Sequence, residues 1–94
     1  MKLRVQYRAQ MRTAAGRSED EVELPEGSSL EALLGHLAER LGQETAAHLV
    51  TGDGDVHSSL LIVVNDSVVV PRAAAHTVLR DGDVLTFLPP IAGG

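Results

Sequence analysis

The side chains able to do chemistry are scattered along this chain, and the group set apart by its surroundings is a backbone one. His36, His48, His57 and His76 include no pair at the H-x-x-x-H spacing that puts two imidazoles on one helix face. They read as surface or loop residues. The "GDGD" of residues 52–55 has the look of a calcium-loop fragment but lacks the later acidic ligands such a loop needs, so it reads as a turn. Asp81 and Asp83, on either side of Gly82, read the same way. No Ser-His-Asp set and no paired carboxylates can be defended from spacing. What remains is the end of the chain, "FLPPIAGG", Phe87 to Gly94. A strand-like run meets Pro89 and Pro90, then Ile91 and Ala92, then Gly93 and Gly94. The prolines fix φ and favour an extended exit. Glycines without side chains make a tip narrow enough to enter another protein. The group at that tip is the Gly94 carboxylate.

Composition narrows the functions further. The chain has no cysteine. That removes disulfides, thiolate metal sites and cysteine nucleophiles together, so any sulfur chemistry here must use sulfur that is not a cysteine side chain. Eight basic against 13 acidic residues give a net charge of -5. With one Tyr, one Phe and no Trp, the chain lacks both the phosphate-neutralising charge and the stacking rings of a nucleic-acid binder. No apolar run approaches the ~20 residues of a membrane span. The charged, alternating start is not a signal peptide, and the expected location is the cytoplasm.

The elements that must position the tail follow from periodicity. "KLRVQYRAQ" alternates Leu3, Val5, Tyr7 and Ala9 against polar residues and predicts a half-buried strand. "MRTAAGRSED" predicts a loop, on the strength of Gly16 and Ser18. "EVEL" predicts a second strand, pairable with the first as a hairpin with a long connection. The acidic run starting at Glu19 reads as a solvated strand face able to steer a basic partner. Leu30, Leu33, Leu34, Leu37 and Leu41 fall on one face of the main helix. Ser28 with Glu31 fits a capping box at its start, and Gly42 stands where a left-handed C-terminal cap is expected. Residues 43–50 predict a short second helix. "LLIVVNDSVVV" predicts two strands about a tight turn, closed by Pro71. A short irregular or helical turn and the Asp81-Gly82 turn lead to a last strand over 84–88. The whole predicts an α+β domain over 1–88, a mixed sheet of four to five strands with one main helix across it. The first and last strands are expected side by side, parallel, at its centre. That is the β-grasp, or ubiquitin-like, layout, followed by an extended, flexible tail over 89–94.

The residues of "LRDGDVLTFLPPIAGG" and "VVNDSVV" resemble the signatures of the MoaD/ThiS family of ubiquitin-like sulfur carriers. The Pro-Pro step lies closer to MoaD, the small subunit of molybdopterin synthase. The resemblance implies a cycle. An E1-like adenylyltransferase of the MoeB/ThiF type, using ATP and magnesium, adenylates the Gly94 carboxylate. A sulfur donor displaces AMP to leave a thiocarboxylate, and the sulfur passes to a substrate in a partner such as the MoaE-type large subunit. It implies a carrier rather than an enzyme, with no cofactor or metal of its own. Phe87, Leu88, Pro89, Pro90, Ile91, Ala92 and Gly93 would be the residues a partner grips. Strand alternation separates Val84, Thr86 and Leu88 from Leu85 and Phe87 without saying which set is buried. Three other readings share the sequence: a carrier for cysteine, thiamine, a thiolated metabolite or tRNA; a protein modifier, for which Lys2 is the single lysine; and an interaction module whose Gly-Gly is incidental.

Overall fold

The computed structural model describes residues 1–51 and 55–88. The expected tail, 89–94, and the Gly52-Asp53-Gly54 part of the expected turn lie outside the described residues. Strand β1 (Lys2–Tyr7) is followed by helix α1 (Gln10–Ala15), strand β2 (Glu19–Glu23), helices α2 (Leu30–Arg40) and α3 (Gln43–Leu49), strands β3 (Leu61–Val64) and β4 (Ser67–Val69), a 3-10 helix (Pro71–His76) and strand β5 (Val84–Leu88). One sheet takes all five strands in the order β2-β1-β5-β3-β4. The β1–β5 pair is parallel and the others antiparallel. The expected β-grasp is therefore the fold, with the last strand in the middle.

The sheet has one wet and one dry face. Leu3, Val5 and Tyr7 of β1, Val22 of β2, Ile62 of β3, and Leu85 and Phe87 of β5 join Leu30, Leu33, Leu34 and Leu37 of α2 in one core. Period two along the strands and 3.6 along the helix bring the two apolar faces together. Lys2, Arg4, Glu19, Glu21 and Glu23 stand on the other face.

Four local expectations need correction. The segment after β1 is not a plain loop, because α1 forms there and carries Met11 fully into the core. The strand stops at Tyr7 because the chain reverses: Ala9 takes φ 53 and ψ -131, and the Met11 N–H donates to the Arg8 carbonyl at 3.1 Å. The cap of α2 is Ser29, whose Oγ accepts from the Ala32 N–H at 3.1 Å, while the Ser28 hydroxyl donates to the Pro25 carbonyl. Ser28 and Ser29 are held by the segment after the 3-10 helix, through Leu30 N–H to Thr77 O and Leu79 N–H to Ser28 O, and this moves the cap one residue on. Gly42 is not left-handed. Leu41 leaves α2 in an extended conformation with its side chain in the core, and Gly42, at φ -64, starts α3. Burial of Leu41 decides the bend, and Gly is an acceptable N-cap.

Candidate functional site

The site is built around β5, because β5 leads into residue 89. Its pattern of burial answers the question that alternation leaves open. Leu85 and Phe87 are fully buried, and Val84, Thr86 and Leu88 are half-buried on the outer face. Phe87, expected among the partner-gripping residues, is instead a core residue. It aligns with Tyr7 on one side and Ile62 on the other, and it fixes the height at which the chain leaves the sheet. Leu88 keeps its place on the outside.

Cross-strand register shows what Leu88 stands beside. Leu61 is its partner on β3, and Val63 bridges Thr86 and Val68. Leu61, Val68 and Val70 are 37%, 67% and 47% exposed, an apolar stripe on the β5-β3-β4 side of the outer face. The β1-β2 side is polar: Gln6 meets Thr86 and Glu19, and Arg4 meets Glu21. Strand β5 therefore runs along the seam where an apolar half and a charged half of one face adjoin.

The opposite end of β5 is fastened by side chains. The Asp81 carboxylate accepts from the Lys2 N–H at 2.7 Å, and the Gly82 N–H donates to the Lys2 carbonyl. Asp83 accepts from the Asn65 amide at 2.8 Å and from the Arg80 N–H at 2.8 Å. Asn65 in turn accepts from the Val84 N–H at 2.9 Å. The β3–β4 turn that presents Asn65 has positive φ at both Asn65 and Asp66, 47° and 75°. Such a turn matches sheet twist and favours these residue types. Asn65, Asp81 and Asp83, read from sequence as turn residues alone, thus lash β1, β5 and the β3–β4 hairpin together. The signal was an N-D turn and a D-G-D turn in one small domain. Their meeting in space could not be read from either.

A second polar contact sits inside the sheet. The Tyr7 hydroxyl donates to Asp20 at 2.9 Å, and Arg17 closes on the other Asp20 oxygen at 2.7 Å. Burial, then the hydrogen bond to Asp20, push the Tyr7 hydroxyl well above the usual tyrosine range. The hydrogen bond to Asp20 likewise raises Arg17. Both groups stay locked in their protonated forms, so the contact is structural. Among the described residues no cluster of His, Asp or Glu could hold a metal ion, and no helix is long and apolar enough to cross a membrane.

Comparison with known proteins decides what kind of chain has this geometry. The model of the ThiS family matches residues 5–94, a span that includes every expected tail residue. The chain belongs to the ThiS family. It is 31% identical to the molybdopterin synthase sulfur carrier subunit of Chlamydomonas reinhardtii and 28% identical to ubiquitin-related modifier 1 of Yarrowia lipolytica, in both cases over the full length of both chains. A Pyrococcus furiosus structure described as a molybdopterin converting factor subunit 1 superposes with a TM-score of 0.74 at 32% identity, covering 97% of this chain and 99% of the other. The resemblance read from the tail and the Val-Asn turn is thus a family relationship across the whole ThiS-family chain.

Proposed function

We propose that this ThiS-family chain is a sulfur carrier that works through the Gly94 carboxylate, as the small subunit of a molybdopterin synthase. The observation that carries this reading is the family match through residue 94, which includes the Gly-Gly end. The two relatives above 30% identity, both described by a role in molybdopterin formation, support the choice of pathway.

The chemistry asks little of the domain's side chains. A carboxylate is a poor electrophile, and adenylation gives it a leaving group. The Gly94 oxygen attacks the α-phosphorus of ATP in the MoeB/ThiF-type partner and pyrophosphate departs. Sulfide-level sulfur (HS⁻ from the donor) then attacks the acyl carbon, the C–S bond forms as the bond to AMP breaks, and loss of the S–H proton leaves a thiocarboxylate. The domain's task is delivery. Phe87, buried, and the hydrogen-bonded Asp83 fix where β5 ends. Pro89 and Pro90 stiffen the root and lower the entropy lost when the tip is threaded. Ile91 and Ala92 offer small apolar contacts, and Gly93 and Gly94 leave the carboxylate unobstructed. Leu88, Leu61 and Val68 give the MoaE-type subunit an apolar surface beside the tail root.

Intact-mass measurement tests the reading. Incubation with a cognate E1-like enzyme, ATP, magnesium and a sulfur source should replace one oxygen by sulfur. Deletion of Gly94 should abolish this with the fold intact. Absence of both the AMP adduct and the sulfur mass change sinks the proposal. Val68→Asp should leave thermal stability nearly unchanged and weaken sulfur transfer to the large subunit. The Yarrowia relative favours a second reading, protein modification. It predicts conjugates on a denaturing gel that survive thiol reductant.

A further inference from the structure

Four of the chain's eight basic residues gather at the end of the sheet from which the tail leaves. Arg8 follows β1, where its N–H donates to the Phe87 carbonyl at 3.2 Å. Its guanidinium reaches back to Gln6. Arg12 on α1 and Arg17 after it line an open depression of about 530 Å³ with Thr13 and Ser18. Arg17 and Arg40 both lie near enough to the Tyr7 hydroxyl to act on it electrostatically, and Tyr7 is aligned with Phe87. All four arginines are exposed. Asp20 offsets Arg17, and Glu19 and Glu39 stand nearby in sequence, which leaves Arg8 and Arg12 as the cations beside the root. The far end of the sheet is the reverse. Glu21, Glu23, Asp66, Asp81 and Asp83 stand there against Lys2, Arg4, Arg80 and the N-terminal ammonium.

The chain as a whole carries -5. A basic partner would attract its far end and hold the tail away. An acidic partner repels the far end and attracts the arginine end, so the encounter happens tail first. Six residues span at most ~20 Å, so the tip can enter only what its own end meets. Oriented charge of this kind acts on association rate and specificity more than on contact energy.

We propose that the arginine-bearing end, Arg8 and Arg12 foremost, docks on an Asp/Glu-rich protein surface around the partner pocket that takes the tail. This rests on the carrier reading above.

The test measures two things with the cognate adenylating enzyme: Kd of the fluorescently labelled chain without ATP, and kcat/KM for ATP–pyrophosphate exchange. Both should weaken about tenfold between about 50 mM and about 300 mM salt, as the Debye length shrinks. The double variant Arg8→Glu, Arg12→Glu should lose at least about tenfold in kcat/KM at low salt with kcat unchanged, and its salt dependence should flatten. Arg8→Lys with Arg12→Lys should retain wild-type values, and Arg80→Glu at the far end should stay within about twofold. Far-UV circular dichroism checks that each variant is folded. Affinity that is flat or rises with salt, or a double Glu variant that binds like wild type, overturns the proposal. Competition by RNA and not by a poly-glutamate peptide overturns it as well. Salt-sensitive binding with no exchange at all would instead strike the carrier reading and leave the docking surface standing.

Discussion

The two ends of β5 are held by opposite means. At Val84 the strand is tied down by Asn65, Asp81 and Asp83, all at or near the surface. At Leu88 the hold is burial: Phe87 is wholly enclosed, and the Arg8 N–H on its carbonyl adds to the backbone ladders with β1 and β3. Backbone strain divides the same way. At the Val84 end the positive φ values fall on Gly82, Asn65 and Asp66, residues that tolerate them. At the Leu88 end one falls on Ala9, where the turn geometry suits glycine. The difference teaches that directional side-chain bonds set the register at one end, while enclosure of Phe87 sets the exit at the other.

The sharpest way to break this contrast is Phe87→Ala. Loss of an enclosed aromatic should cost about 3–5 kcal/mol, read as a lowered urea midpoint. A loss below ~1 kcal/mol would show that burial does not hold the exit. Next come Asn65→Ala and Asp83→Ala, each expected to cost about 1–3 kcal/mol because a partner is left unpaired. The double variant should fall short of their sum by about 1 kcal/mol, since both break one bond. Strict additivity would mean that the two side chains act separately.

Tyr7→Phe should cost about 1 kcal/mol near neutral pH and should change the alkaline limb. The folded hydroxyl titrates above its unfolded value. Its contribution is therefore complete below the unfolded pKa of ~10 and is lost as pH rises from there through the folded value. Urea midpoints between about pH 9 and about pH 12 should fall less steeply in the Phe variant. A parallel decline in both proteins would remove Tyr7 from the account. The smallest effect is a gain. Ala9→Gly should add about 0.5–1 kcal/mol by relieving the positive φ, and no gain would mean that the turn is unstrained.

Strands, main helix and centre were legible because each rests on periodicity. Leu3-Val5-Tyr7 and Leu30-Leu33-Leu34-Leu37 carry their own pattern, and the length and apolar character of the end strands put them at the centre. The capping positions were not legible. Ser28 and Ser29 compete for one role, and the choice falls to Thr77 and Leu79, some fifty residues away. Gly42 satisfied a local rule that burial of Leu41 overrode. Helix α1 has only Met11 as an anchor, too little for a periodic signal. At the site, the tail residues drew notice because their order is unusual. The Asn65–Asp83 contact did not, because each half looks like an ordinary turn. Phe87 is a lesson in parity: alternation names two faces and not the dry one, which only the register against Tyr7 and Ile62 decides.

The parallel pairing of β1 with β5 also bears on how the protein is made. Gln6 and Thr86 touch across a separation of 80 residues, so the middle of the sheet cannot close on a ribosome until the chain through Thr86 has been released from it. Contacts this distant in sequence form late and at high entropic cost. A product cut short before Val84 has no central strand for β1 and β3 to pair with, and exposes their edges to chaperones and proteases instead. Folding itself thus screens nascent chains for the presence of the strand that carries the tail.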